Sequence, residues 1–185
     1  MTIAAWPSAQ HHVPLPAESS NAQANSPGGV GEVKSQSRLT RITPEFADIS
    51  LSSAIEQAFD VVHGTILGQE EVDSLQVPYR RVHLSVESSV RGRATDSITI
   101  VVPGTTGSRE RVLVQGTPWF DDGEEVVLFL SSRKAERNFG ILGLSNGVLR
   151  VSSAQNGDRV AVGRLATGQS IETFLFECAQ VAQFR

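Results

Sequence analysis

Two histidines and several carboxylates are the residues of this sequence whose types suit acid–base or metal chemistry. His63 and His83 lie within strand patterns, and Asp60, Asp73 and Glu87 are acids near them along the chain. An imidazole beside a carboxylate is a common general base, and the same groups are zinc ligands. The spacing fixes no shared geometry, because side chains on separate strands meet only through tertiary structure. We therefore predict ordinary strand histidines, with a metal-dependent enzyme as the second alternative function.

The densest acidic segment is Asp121-Asp122-Gly123-Glu124-Glu125. Carboxylates around a glycine can coordinate calcium, but a calcium loop needs about six or seven oxygens at set spacing. This segment lacks the alternation of such a loop. It predicts a turn that enters the next strand.

Three further features resemble reactive motifs but lack an essential part. The glycine-rich segment 104–109 lacks the lysine and the following helix of a phosphate loop, which predicts an ordinary hairpin or Ω-type loop. Cys178 is the single cysteine and lies in an apolar helical stripe, where a thiol has a raised pKa and is inert. His11 and His12 are adjacent residues that need further ligands to hold one ion. We predict no catalytic residue, no metal and no cofactor.

Trp119 and Phe120, next to Pro118, are candidate binding residues. Loops of OB-type barrels often present aromatic rings to a ligand or partner, and aromatic residues dominate the energetics of many interfaces. The alternative is that both rings pack in the core under the barrel. The sequence leaves these two interpretations open.

A second candidate binding feature is a local basic strip around the second strand. Its members are Arg80, Arg81, Arg91 and Arg93. Such a strip attracts phosphates, but the whole chain has 16 basic and 20 acidic residues and a formal charge of −4. With few aromatic residues to stack bases, the composition makes nucleic acid an unlikely partner.

Composition limits the class of protein. The 185 residues are 39% hydrophobic and 19% charged, and 16 glycines and 8 prolines indicate many turns. A single cysteine cannot form an internal disulfide bond, and no run of about eighteen apolar residues is present to span a membrane. These features predict one turn-rich β domain without disulfide bonds or a membrane span.

Residues 1–43 are rich in Ser, Ala, Pro, Gly, Gln and Asn, and their apolar residues follow no helix or strand period. We predict a flexible or partner-bound N-terminal arm, followed by a folded domain over 44–185. The arm lacks the uninterrupted apolar run of a secretory signal, so we expect no signal peptide, and the compartment stays open.

The apolar pattern predicts a short helix over about 50–59 and then a series of strands, with a bend or bulge at Gly64. The predicted strands are 59–67, 79–90, 97–102, 111–115, 125–130, 139–144, 147–151 and 159–162. Residues 125–130 are apolar on both faces, which predicts a central strand covered on both sides. The Asn-Gly pairs at 146–147 and 156–157 predict tight hairpins.

The chain closes with an apolar stripe at helical spacing, which predicts an amphipathic helix that docks on the sheet. The stripe consists of Ile171, Phe174, Leu175, Cys178 and Val181. Many short strands with two helices favour a mainly β fold. We predict a small OB-like antiparallel β-barrel with a short N-terminal helix and a C-terminal amphipathic helix, preceded by an extended polar tail.

The order of these features carries a resemblance over about residues 50–152. The segments are Asp60-Val-Val-His-Gly-Thr-Ile, Val82-His-Leu-Ser-Val-Glu-Ser-Ser-Val-Arg-Gly, Ile98-Thr-Ile-Val-Val-Pro-Gly and Gly116-Thr-Pro-Trp-Phe-Asp-Asp-Gly-Glu-Glu-Val-Val-Leu-Phe-Leu. In this order the chain resembles uncharacterised bacterial OB-type barrel domains, similar in outline to the netrin-like modules of tissue inhibitors of metalloproteinases. The inhibitors use an N-terminal cysteine and disulfide bonds, which this chain lacks, so proteinase inhibition does not carry over. The resemblance implies a barrel used for binding.

Three functions follow from these observations. The first is a non-enzymatic protein-interaction or structural module, in which the barrel binds a protein partner and the N-terminal arm is a tether. The alternative is an oligonucleotide- or oligosaccharide-binding domain, on analogy with other OB-type barrels. A metal-dependent enzyme is third, since no complete catalytic motif is present.

Overall fold

Ten strands and two helices make up the part of the chain that the computed structural model describes, residues 38–42, 49–72, 78–106, 110–132 and 138–183. The strands are β1 (Arg38–Ile42), β2 (Asp60–Val72), β3 (Tyr79–Ser89), β4 (Ser97–Pro103), β5 (Glu110–Val114), β6 (Glu125–Ser132), β7 (Asn138–Ile141), β8 (Val148–Ser153), β9 (Arg159–Gly163) and β10 (Ala166–Ser170). The helices are α1 (Leu51–Gln57) and α2 (Ile171–Gln183). The fold is mainly β, as predicted.

Five strands close into a barrel in the order β6, β2, β3, β4 and β7, with β7 pairing back onto β6. This arrangement confirms the predicted fold class, a small β-barrel. The prediction of an antiparallel barrel needs one correction, because β4 and β7 run parallel, in the registers Thr99 to Asn138 and Ile100 to Phe139. The other four pairings around the barrel are antiparallel, and five strands cannot alternate in direction around a closed barrel, so one pair must be parallel.

Strand β6 pairs with three neighbours, which is why the sheet continues beyond the barrel. Its first half pairs with β8 and its second half with β7, while its other edge pairs with β2. Strands β9 and β10 then extend from β8. The predicted hairpin at Asn146-Gly147 is wrong: β7 and β8 both pair with β6 rather than with each other, and a short 3-10 turn (Leu144–Gly147) joins them. The hairpin at 156–157 is confirmed between β8 and β9.

Two hydrophobic cores lie on opposite faces of β6, as its apolar pattern predicts. Val126, Leu128 and Leu130 point into the barrel, while Val127 and Phe129 face the helices. Helix α1 begins behind Ser50, whose hydroxyl accepts from the Ser53 backbone N–H. The rings of Phe129 and Phe174 of α2 pack edge to face at a centroid distance of 6.4 Å. Neither α1 nor α2 has the length and apolar character needed to cross a bilayer.

The sequence analysis did not predict two of the described strands. Strand β1 falls within the predicted arm 1–43 and pairs in parallel with β5 over residues 110–114. Strand β10 pairs with β9. Both are short, and pairing with a neighbour rather than an alternating apolar pattern defines them. The rest of the predicted arm, including His11 and His12, lies outside the described residues.

Asp60 is a fully buried carboxylate at the start of β2. Its Oδ1 accepts hydrogen bonds from the backbone N–H groups of Val61 (2.8 Å) and Arg91 (2.9 Å). Its Oδ2 accepts from the Ser89 hydroxyl (2.6 Å) and from the backbone N–H groups of Arg93 (2.9 Å) and Ala94 (3.0 Å). Five donors surround one carboxylate, which compensates for its burial and fixes the loop after β3.

We predict that Asp60→Asn lowers the free energy of unfolding by about 2–4 kcal/mol. Whichever way the new amide turns, two backbone N–H groups lose their acceptor, while the side-chain volume is unchanged. Denaturant unfolding followed by circular dichroism measures the loss. Asp96→Asn is the control, since Asp96 is exposed in the same loop and has a φ of 58°, a region that Asn accepts. Equal stability of the two variants would contradict the prediction.

Candidate functional site

The loop before β6 presents one of the few exposed large hydrophobic side chains of the described residues. Trp119 is 42% exposed, whereas Phe120 is only 3% exposed and packs in the barrel core with Val126 and Leu128. Of the two interpretations that the sequence left open, core packing therefore applies to Phe120 and surface exposure to Trp119. Phe120 anchors the loop from inside, and its ring is not available to a partner. Trp119 is available.

Side chains from three different strands fix the backbone of this loop. The carbonyl oxygen of Pro118 accepts a hydrogen bond from Arg80 Nη2 (2.7 Å). The carbonyl of Trp119 accepts from Arg150 Nη2 (2.7 Å), and that of Phe120 from Gln69 Nε2 (2.8 Å). Three consecutive carbonyls thus have side-chain donors, which holds the loop in one conformation.

Arg80 lies directly beneath the exposed ring. Its guanidinium carbon is 3.6 Å from the centroid of Trp119, a close cation–π contact, and Nη1 donates to Gln69 Oε1 (2.9 Å). Arg80 is 1% exposed, and its Nε has no hydrogen-bond partner among the described residues. Burial lowers the pKa of Arg80 to about 10, with the charge of Glu71 opposing the shift, so the side chain stays cationic at neutral pH.

The acidic segment forms the predicted turn. Gly123 has a φ of +80°, and its N–H donates to the carbonyl of Ile66 (2.8 Å). Glu124 accepts from the backbone N–H of Asp121 (3.0 Å) and forms an ion pair with Arg150. The turn therefore positions the Trp119 loop and the first residue of β6.

The four arginines of the predicted basic strip do not lie together. Arg80 is buried at the beginning of β3, and Arg81 pairs with Glu70 at 3.4 Å. Arg91 and Arg93 follow the other end of β3, about 30 Å away at 3.3 Å per strand residue. There Arg91 donates to the carbonyl of Ile55 (2.7 Å), and Arg93 donates to the carbonyl of Phe59 and contacts its ring. The strip is thus divided between two ends of the barrel.

A second cluster forms around His63 on the outer face of the barrel. His63 Nε2 lies 2.6 Å from Glu125 Oε1, and Nδ1 lies 3.6 Å from Glu87 Oε2. Glu125 Oε1 also contacts Arg159 Nη1 at 2.7 Å. One ligand atom from each of His63, Glu87 and Glu125 can be chosen so that all lie within 4.8 Å of one another. The Thr65 hydroxyl donates to Glu87 Oε1 (3.0 Å).

The other residues considered for acid–base chemistry lie elsewhere. His83 Nδ1 is 3.4 Å from the Thr99 hydroxyl, and Asp60 is engaged by the loop after β3. Asp73 lies outside the described residues. The sequence analysis named Glu87 as one of three acids that could accompany His63 but predicted no site there, and it missed Glu125, because it assigned that residue to the acidic turn. It also missed Gln69, which the irregularity at Gly68 brings into register with Val82.

The structure also describes Cys178 and part of the glycine-rich segment. Gly104 has a φ of +92°, and the Thr105 backbone forms an antiparallel bridge with Val112, while residues 107–109 lie outside the described residues. Cys178 is fully buried in α2. Burial, with a smaller contribution from Glu177, raises the pKa of its thiol to about 12. The expectation of an inert thiol agrees with this position.

Comparison of the chain with protein-family models, with curated proteins and with solved structures finds no match.

We expect Arg80→Met to loosen the Trp119 ring. Loss of about 1 kcal/mol of cation–π attraction increases the population of displaced ring conformers about fivefold. Acrylamide quenching of fluorescence measures the change in a Trp6→Phe background, because the chain has two tryptophans. Arg81→Met is the control, since Arg81 stacks on Tyr79 instead. Identical quenching in both variants would refute the contribution of Arg80.

A second prediction follows from the burial of Cys178. A thiol with a pKa of about 12 is ionised to only about one part in ten thousand at pH 8, and its side chain is inaccessible. Alkylation by iodoacetamide at pH 8 should therefore be orders of magnitude slower in the folded protein than in denaturant. Mass spectrometry gives both rates without ambiguity, as Cys178 is the sole cysteine. Rapid labelling of the native protein would contradict the buried position.

Proposed function

We propose that this protein is a non-enzymatic binding module that recognises a protein partner through the surface around Trp119. This Trp119 surface consists of Trp119, Arg150 and Val162. Trp119 is 42% exposed and Val162 47% exposed. Arg150 donates to the Trp119 carbonyl and faces Val162 in register between β8 and β9. Paired strand residues lie about 5 Å apart, so Arg150 links the Trp119 loop to Val162.

One observation carries this proposal: Trp119 is exposed and yet rigidly held. Its ring rests on a buried guanidinium, and its own carbonyl and those on either side are fixed by side chains. A partner that binds such a ring loses little conformational entropy on association. Tryptophan and arginine are also the residues enriched at the energetic centres of protein interfaces.

The cation beneath the ring restricts the chemistry of the partner. Arg80 already occupies one face of the Trp119 indole, and its positive charge weakens the attraction of the ring for a second cation. Arg150 adds a half-exposed cation at the side, partly neutralised by Glu124. The surface therefore suits an apolar or acidic segment of a protein partner rather than a basic one.

The alternative of oligonucleotide binding has less support. It depends on a continuous basic strip, whereas the two pairs of arginines lie at opposite ends of β3 and interact with groups of the protein itself. Oligosaccharides also bind to exposed aromatic rings, so their affinity for the Trp119 surface is measured as well. The resemblance to bacterial OB-type barrel domains and the role of the arm, residues 1–43, as a tether stay predictions.

The test compares Trp119→Ala with Phe176→Ala in the full chain. Phe176 is 64% exposed on α2 and is a matched aromatic control. A protein partner is captured from source lysate, identified, purified and then titrated against each variant by calorimetry. We expect Trp119→Ala to weaken binding by at least about 2 kcal/mol, or about 30-fold, and Phe176→Ala to leave it unchanged.

Three outcomes would overturn the proposal. The first is equal binding by both variants. The second is binding that depends on residues 1–34 and not on Trp119, which would make the arm the recognition element; this deletion keeps β1 intact. The third is Trp119-dependent affinity for oligosaccharide or single-stranded nucleic acid without a protein partner. Unfolding curves of each variant show that the fold is retained.

A further inference from the structure

We propose that His63 and Glu87 form a binding site for a zinc ion, with Glu125 as the carboxylate that orients the histidine. The site lies on the outer face of β2 and β3, and none of its residues belongs to the Trp119 surface. It is independent of the proposed protein partner. Four observations support it: the distances, the orientation of the ring, the local charge and the access to water.

The first observation is the spacing of His63 Nδ1 and Glu87 Oε2, which is 3.6 Å. This distance is longer than a normal hydrogen bond between a nitrogen and an oxygen. Zinc binds histidine nitrogen and carboxylate oxygen at about 2.0–2.2 Å, so two ligands at a tetrahedral angle lie about 3.4 Å apart. The two atoms therefore have nearly the separation that one shared ion requires.

The second observation concerns the opposite edge of the imidazole. Nε2 lies 2.6 Å from Glu125 Oε1, a short charge-assisted contact in which the ring N–H donates to the carboxylate. Arg159 Nη1 contacts the same oxygen at 2.7 Å and fixes it. A proton on Nε2 leaves a lone pair on Nδ1, the ring nitrogen that lies 3.6 Å from Glu87 Oε2. Metal-binding histidines commonly donate their second nitrogen to a carboxylate in this way.

The third observation is the local charge. Glu125 and Glu172 share the guanidinium of Arg159, while a third carboxylate, Glu87, lies beside His63. With His63 neutral, the cluster carries two net negative charges around an imidazole whose side chain is only 5% exposed. A divalent cation neutralises this excess where the surroundings are partly shielded from water.

The fourth observation is the open side of the cluster. The Glu87 side chain is 46% exposed, and its Oε1 accepts from the Thr65 hydroxyl, which holds the carboxylate in place. Water can therefore reach the ion and complete its coordination. An imidazole ligand favours zinc over magnesium or calcium, both of which prefer oxygen ligands alone.

The test is a calorimetric titration of the full chain with Zn²⁺ alone, with Mg²⁺ and Ca²⁺ as comparison ions. All proteins carry His11→Ala and His12→Ala, so that these adjacent histidines contribute no signal. Glu87→Gln removes the charged ligand with little change in shape, and Glu70→Gln is the matched control, since Glu70 is a 54% exposed acid paired with Arg81. We expect one zinc ion per chain. Glu87→Gln should lower the zinc affinity at least tenfold, which is about the loss seen when a residue that only supports a metal ligand is removed. Glu70→Gln should leave the affinity unchanged.

Nuclear magnetic resonance gives a second readout that needs no ligand variant. In the protein with intact His63, zinc should shift the Nδ1 resonance of His63, while Nε2 stays protonated. Absence of zinc-dependent heat, equal affinity in Glu87→Gln and Glu70→Gln, or a shift at Nε2 in place of Nδ1 would each overturn the proposal. A one-to-one site with the Nδ1 shift and weaker binding by Glu87→Gln supports it.

Discussion

Burial of both faces of β6 is the constraint on which the rest of this structure depends. A strand that is apolar on each side needs two separate layers to cover it, and this chain supplies the barrel interior on one face and the helices on the other. Because β6 also pairs with β2, β7 and β8, it closes the barrel and carries the additional strands. Both candidate sites lie at its beginning: Trp119 in the loop that precedes it, and Glu125 as its first residue.

Two buried charges of opposite sign lie at opposite ends of the β2–β3 pair, and each stabilises a neighbouring loop. Asp60, the first residue of β2, binds the loop that follows β3 through five donors. Arg80, near the start of β3, binds the loop that precedes β6 and supports the Trp119 ring. Asp60 is compensated mainly by backbone N–H groups, whereas Arg80 donates to one backbone carbonyl and one side-chain amide and lies against the indole of Trp119. Loops that would otherwise be mobile are therefore tied to rigid strands, which is how a barrel can present a fixed binding surface.

Much of the fold follows from local patterns in the sequence. The strand over 79–89 alternates as expected, the acidic segment forms a turn, and the irregularity at Gly64 is present, where a Cβ atom would lie 2.0 Å from the carbonyl oxygen of Ser85. The wrong hairpin prediction has a long-range cause. The Asn-Gly pair at 146–147 resembles a hairpin turn, but β6 is long enough to pair with both β7 and β8, and competition for its edge decides the connection. Strand pairing is a long-range choice that the residues of a turn do not control alone.

The sequence by itself determined the mainly β class, the two-faced central strand, the amphipathic last helix and a buried cysteine, because each depends on the period or polarity of neighbouring residues. Only the tertiary structure decided which polar residues meet. It separated the arginines of one apparent strip and placed Trp119 outside and Phe120 inside. It also brought Glu125 to His63 across 62 residues of chain. The physical reason is that strand alternation tells which face a residue occupies, whereas register and barrel closure determine its neighbours on that face.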